Sequence, residues 1–245
     1  MHIILTGATG LVGSAALDAL LLSKEVTKVT ILSRKPVPQA DTHAKVTVLL
    51  HQDFSTYPGC NPTLGDTIKD AAGCIWALGI SQNAVSKTDY STTTRDYPNA
   101  FVKYLASVVT SPCSFVFVSG EGATHNPGIL TTLFAKVKGE TEQDLLAFAE
   151  KNSNVSVYVA RPGGVDPGQH KELLALGKTT SYPTLAKVIF PLFNAVYPGM
   201  MSPTRELGQS LVKLAMMKGE PVQGRGIQLN GRLVTNVGLR AMMGL

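Results

Sequence analysis

Apolar positions along the chain alternate between two patterns. Short runs rich in β-branched and aromatic residues, at 1–5, 28–33, 45–51, 74–78, 114–118 and 155–160, predict strands, and 227–229 predicts a short seventh. Between them, 14–23, 97–109, 133–151 and 204–218 carry apolar residues three and four apart, which gives each a single buried stripe and predicts a helix. The run Phe115-Val116-Phe117-Val118 is apolar on both strand faces, as expected where helices cover both sides of a parallel sheet. The order is βαβ repeated. It predicts a doubly wound α/β fold whose mostly parallel, seven-stranded sheet has helices on both faces.

From Gly163 onward the strand signal thins and turn residues accumulate at Pro167-Gly168, Pro183, Pro191 and Pro198-Gly199. This reads as a small C-terminal substrate lobe over the pocket that such sheets carry beyond the carboxyl ends of their strands. The expected layout is a single domain, 1–245, with a cofactor-binding core at 1–165; 166–245 is mainly the lobe and C-terminal elements. No internal repeat or Pro/Gly/Ser linker divides it. The least polar stretch, 184–201, is interrupted by Lys187, Pro191, Asn194 and Pro198, so no membrane span is expected.

Composition narrows the partners. A net charge of +5 raises nucleic acid as a ligand, but the 22 Lys and Arg residues are scattered, without a basic run or an interleaved aromatic stripe, and nucleic acid is not expected. The charge suits an anionic cofactor equally well. Three cysteines, Cys60, Cys74 and Cys113, are too few for a disulfide framework and imply a reducing compartment. Met1-His2-Ile3-Ile4-Leu5 reads as a core strand rather than a signal sequence, which makes the cytoplasm the expected location.

The chemistry starts at the first βα turn, Thr6-Gly7-Ala8-Thr9-Gly10-Leu11-Val12-Gly13. A glycine-rich turn that follows a strand and opens a helix is the fingerprint of a dinucleotide-binding Rossmann unit. Gly7 allows the tight turn, Gly10 lets backbone amides approach a pyrophosphate, and Gly13 lets helix and strand pack closely. Where an NAD-specific unit carries Asp or Glu after the second strand, this chain has Ser33-Arg34-Lys35. A charge-assisted bond from Arg34 to a 2′-phosphate is worth roughly 1.5–3 kcal/mol, so NADPH/NADP+ is the expected cofactor. Asp53-Phe54 and Ala77-Leu78-Gly79 follow the third and fourth strands, where an adenine partner and a close-approach loop are needed.

With these residues in order, the chain resembles the atypical and extended short-chain dehydrogenase/reductases over residues 1–165, and most the Tat-interactive-protein type of atypical member. The resemblance rests on the glycine turn, the Ser-Arg ending of strand two, Arg95-Asp96-Tyr97, Val118-Ser119, Val137-Lys138-Gly139-Glu140 and Arg161-Pro162-Gly163. It implies that Ser119 polarises a substrate carbonyl, that Lys138 holds the nicotinamide ribose, and that Arg161, Pro162 and Gly163 border the cofactor. The superfamily's proton-donating Tyr stands four residues before the Lys; here that position is Phe134. Positioned acid–base catalysis is worth about 10²–10⁴-fold, so the departure bears on the reaction. Substitute donors are His125, a residue type that changes charge near neutrality, then Glu121, Tyr97, Tyr90 or Tyr182. Each has an alternative role: His125 as a solvated loop residue, Glu121 as a cap on a backbone amide.

Other chemistries are poorly supported. Ser119 lacks a Gly-x-Ser-x-Gly elbow, because position 117 is Phe. The histidines at 2, 43, 51, 125 and 170 lack metal-ligand spacing, and no metal is expected. The segment after Arg161 is short for the lobe of a sugar-nucleotide epimerase. Two readings remain: an NADPH-dependent oxidoreductase acting on a small, fairly apolar carbonyl compound, or a redox-silent isomerase, cyclase or NADPH-sensing binding protein on the same fold. Members of the superfamily often pair through the helices matching 97–109 and 133–151; a monomer and a homodimer both fit.

Overall fold

A computed structural model of the chain describes residues 1–40, 43–59, 61–168, 170–177 and 198–245. Cys60, Tyr182, Pro183, Lys187, Pro191 and Asn194, drawn on above, lie outside the described residues.

Alternation along each strand builds two cores on one sheet. In β1 (His2–Thr6), Ile3 and Leu5 face one side and Ile4 the other. β2 (Lys28–Ser33) pairs parallel with β1, Leu5 standing opposite Ile31, and β3 (Val46–Leu50) continues that edge. On the other flank β4 (Gly73–Trp76), β5 (Cys113–Val118) and β6 (Val155–Ala160) follow in parallel. One face carries α1 (Leu11–Leu22), whose fully buried Leu17 and Leu20 meet Leu207 and Leu211 of a late helix. The opposite face carries α2 (Leu64–Ile68), α4 (Tyr97–Val108) and α5 (Leu133–Glu150), which cover Trp76, Phe115 and Phe117. Each such apolar side chain contributes about 1.5–3 kcal/mol on burial, and the sheet is fixed between them.

A short helix α3 (Lys87–Ser91) runs through a π-helical turn, Thr92–Asp96, into α4. Arg95 on that turn pairs with Glu140 at 2.6 Å and Asp144 at 2.7 Å, which anchors it to α5. The strand order, β3-β2-β1-β4-β5-β6 followed by β10 (Leu233–Val234) and β9 (Ile227–Gln228), reverses direction between β1 and β4, and a crevice opens there at the carboxyl ends.

Among the described residues the sheet has eight strands rather than seven. Ile227–Gln228 (β9) is in the sheet but antiparallel, and Leu233–Val234 (β10) takes the parallel place beside β6. Leu229, Asn230 and Gly231 adopt φ of 50°, 52° and 84°, and this left-handed run turns the chain between the two short strands. Among the described residues of 166–245, Leu207, Leu211, Leu214, Val234 and Leu239 are built into the core. Helix α7 (Thr204–Ala215) packs on α1, where a side chain at Gly208 would meet the Ala15 carbonyl at 2.3 Å. A smaller part walls the pocket: β7 (Gly164–Asp166) pairs with β8 (Met201–Pro203), and α8 (Asn236–Ala241) closes the chain beside them. α6 (Lys171–Ala175) lies against α1. No helix among the described residues is long and apolar enough to cross a membrane.

Candidate functional site

Two cavities follow the carboxyl edge of the sheet. The smaller, about 240 Å³, is walled by Gly7, Thr9 and Gly10, by Ser33, Arg34 and Lys35, and by Phe54, Ala77, Leu78 and Gly79. Gly7 has φ +71°, and a side chain there would lie 2.3 Å from the Ala77 carbonyl; one at Gly13 would lie 2.0 Å from the Gly7 carbonyl. Turn, helix and β4 can meet this closely only as glycine allows. Thr6 Oγ1 accepts a 3.3 Å bond from the Leu78 amide across the crevice. Gly10 begins α1 at Leu11 without a side-chain cap, so first-turn amides remain for an anion.

Arg34 and Lys35 are exposed on the wall, and among the described residues neither head group has a hydrogen-bond or ion-pair partner. Ser33 accepts the Lys35 amide at 3.2 Å and shapes the bend. Asp53 is placed differently: its carboxylate accepts from Ser55 Oγ at 2.6 Å, the Ser55 amide at 2.8 Å and Thr56 Oγ1 at 3.3 Å. The Ser55 hydroxyl and amide hold it below the ordinary carboxylate range. It caps its own turn, while Phe54 reaches the cavity. Leu32, Ile80 and Thr93 also wall the cavity; they were missed as site residues because no local motif marks them, and Thr93 arrives by the π-helical turn, while Tyr97, considered above as a proton donor, stands in the same wall.

The larger cavity, about 770 Å³, is lined by Val12, Val118, Ser119, Phe134, Pro162 and Gly163, and by Met200 and Thr235 from the late segments. Phe134 lies over Gly120, where a side chain would meet its ring at 2.8 Å, and its amide donates to Gln82 Oε1 at 2.9 Å. The ring and the Ser119 hydroxyl thus share one wall. Lys138, one turn along α5, is 9% exposed, donates to the Val118 carbonyl at 2.9 Å and sits 4.7 Å from the Phe117 ring centre. Burial lowers its pKa to about 8, against the opposing pull of Glu142.

Glu142 is the residue that sequence reasoning missed. Its side chain is fully buried and gathers four donors: Ser119 Oγ, Arg161 Nε at 2.9 Å, Arg161 Nη2, and His125 Nε2 at 2.7 Å. Arg161 therefore directs its guanidinium to Glu142. His125 faces a separate cavity of about 630 Å³, shared with Arg232, Asn230 and α5, and is absent from the Ser119 cavity wall. Glu121 accepts the Asn236 amide at 2.6 Å at the start of α8, the capping role, while still touching the larger cavity. Tyr97 belongs to the smaller cavity and Tyr90 is buried. Among the described residues no three His, Cys, Asp or Glu side chains group to hold a metal ion.

Proteins of two biosynthetic clusters are similar in sequence. Leucinostatins biosynthesis cluster protein T of Purpureocillium lilacinum is 34% identical over 268 aligned positions, covering 98% of this chain and 94% of that protein. Botcinic acid biosynthesis cluster B protein 16 of Botryotinia fuckeliana is 38% identical over 141 positions, covering 54% of this chain and 87% of that protein. No protein-family model matches. Among solved structures, a short chain dehydrogenase family protein of Francisella tularensis superposes with a TM-score of 0.64 at 16% identity, covering 98% of both chains. L-sorbose reductase of Gluconobacter frateurii, solved with NADPH and L-sorbose, superposes at 0.61 with 14% identity, covering 89% of this chain and 90% of that one.

Proposed function

The chain belongs to the family of leucinostatins biosynthesis cluster protein T and has the short-chain dehydrogenase/reductase fold; from this we propose that it is an oxidoreductase that binds NADPH along the carboxyl edge of its sheet. Its substrate is a small, fairly apolar carbonyl compound, or the matching alcohol, in a biosynthetic route. The observation that carries the reading is the pair of cavities on one sheet edge, with two cations at one end and Ser119 at the other.

The residues present fit such a cofactor. Gly7, Gly10 and the uncapped amides of α1 suit a pyrophosphate, and Arg34 with Lys35 suits a 2′-phosphate. Phe54, Leu78 and Gly79 would wall the adenosine end, and Pro162 and Gly163 the nicotinamide end. A nicotinamide held there would supply hydride exchange with the substrate carbon. Ser119 presents its oxygen to the substrate oxygen, Lys138 holds positive charge beneath the site, and the apolar walls from Val12, Val118, Phe134 and Met200 exclude water.

Calorimetric titration with NADPH and NADH, on the parent protein and on Arg34→Ala, tests the cofactor. A lost charge-assisted bond of roughly 1.5–3 kcal/mol corresponds to NADPH affinity lower by about 10–100-fold in the variant, with NADH little changed. Equal affinities for both nucleotides in the parent protein refute the preference. Phe134 favours a second reading: with an aromatic hydrocarbon where the superfamily's phenol stands, the site would bind NADPH without hydride transfer, as an isomerase, cyclase or sensor. Deuteride on the nicotinamide that reaches product excludes that reading.

A further inference from the structure

We propose that Glu142 is the proton acceptor of this site, working through Ser119 in place of a phenol at position 134. The inference rests on the oxidoreductase reading and names the acid–base group that reading lacks.

Four observations carry it. Ser119 is 8% exposed and lines the larger cavity, yet its hydroxyl proton points inward to Glu142. The oxygen lone pairs are what Ser119 offers the cavity, so in this arrangement it accepts a proton from a ligand rather than giving one. Glu142 has no exposed surface, and that hydroxyl links it to the larger cavity. The charged groups facing it are all positive or able to become so: Arg161 from the segment after β6, His125 from the loop after β5, and Lys138 from its own helix. Phe134, the neighbour on the cavity wall, has no proton to exchange.

The step balances in the direction of alcohol oxidation. The substrate O–H proton passes to Ser119 Oγ as the Ser119 proton passes to Glu142 Oε1. The O–H bonding pair becomes the carbonyl π bond, and hydride with its electron pair leaves the carbon for an oxidised nicotinamide dinucleotide. Glu142 ends as a neutral acid hydrogen-bonded to Arg161. After product leaves, water in the cavity takes the proton back through Ser119; carbonyl reduction runs the same steps in reverse. Arg161 and His125 are positioning residues that hold the carboxylate in place.

Glu142→Gln tests the carboxylate, and the double variant Glu142→Gln with Arg161→Gln keeps the test open if the unpaired guanidinium prevents folding. The expected result is turnover lower by about 10²-fold or more with NADPH affinity within about threefold of the parent, and loss of the acid limb of the pH–rate profile. Turnover within threefold of the parent, or an acid limb that persists, overturns the proposal. A second readout needs no nucleotide: the side-chain ¹³C resonance of Glu142, identified by its loss in the Gln variant, should shift when cyclohexanol is added to the parent protein and not to Ser119→Ala. No shift overturns the proposal. A parent protein inactive on every carbonyl tried but showing the shift rejects the oxidoreductase reading and retains the Ser119–Glu142 couple.

Discussion

Lys138→Met should make the protein more stable and less active. The lysine is 9% exposed and satisfied by one carbonyl and one ring face, and burial brings its pKa from the ordinary 10.5 to about 8. At about 1.4 kcal/mol per pH unit, keeping the charged form in the fold costs about 3 kcal/mol at neutral pH relative to the unfolded chain. Methionine fills a similar volume without the charge and forfeits one hydrogen bond worth about 1 kcal/mol, a net gain of about 2 kcal/mol. For a chain of this size that is a rise in Tm of about 4–8 °C. The pH dependence supplies the sign. Below pH 8 both states of the parent carry the proton; between 8 and 10.5 the folded state releases it while the unfolded state keeps it, so parent stability rises with pH across that window. The variant lacks this rise, so the two stabilities should cross between about pH 9 and 10, and by about pH 10.5 the parent should be the more stable by the hydrogen bond's roughly 1 kcal/mol. Urea denaturation of both proteins at pH 7, 8, 9 and 10, with turnover measured at pH 7, checks both halves. A variant less stable than the parent at pH 7, or a gap that does not narrow with pH, refutes the reasoning, and a fully active variant removes Lys138 from the site.

Two further outcomes follow from the structure. His51 is fully buried and stacked 4.9 Å from Tyr57, and burial holds its pKa below the ordinary value. The unfolded chain therefore takes up a proton on acidification through about pH 6.5 where the folded protein does not, stability falls in that window, and His51→Leu should show a shallower fall in Tm between pH 7 and 5. Phe134→Tyr places a phenol beside Ser119 in the 770 Å³ cavity, and carbonyl reduction by NADPH should rise by about 10²-fold; no change in initial rate would mean the rest of the site cannot use the phenol.

The smaller cavity, the proposed nucleotide end, could be anticipated because much of its wall is local in the chain. Gly7, Gly10 and Gly13 are spaced by a single turn, and Arg34 ends the neighbouring strand, so the fingerprint and its likeness to the short-chain dehydrogenase/reductases could be read before any fold was known. The alternating layers were legible for the same reason, since strand and helix periods differ. The eighth strand was not: β10 has two residues, and its place beside β6 depends on the left-handed turn at Leu229-Asn230-Gly231, which no periodicity encodes. Asp53 and Glu121 show the matching limit for side chains. Each stands where a ligand contact was expected, and each oxygen is drawn to a nearby amide instead, Ser55 in one case and Asn236 in the other.

Glu142 shows what local reading cannot reach and why it matters. In Gly139-Glu140-Thr141-Glu142 the two carboxylates look alike, but positions two apart on a helix face different ways, and here Glu140 meets Arg95 near the surface while Glu142 turns inward. Its burial is decided by β5 and β6, which bring Ser119 and Arg161 to it from residues 23 positions before and 19 after. A fully buried carboxylate, a nearly buried guanidinium and a buried amine within one small region are unfavourable for stability compared with apolar side chains of the same volume. The parts of a sequence that break the rules of a well-packed core tend to be those retained for chemistry. That a buried carboxylate, guanidinium and amine gather directly behind Ser119 is the physical reason to look for the reaction at that end of the sheet.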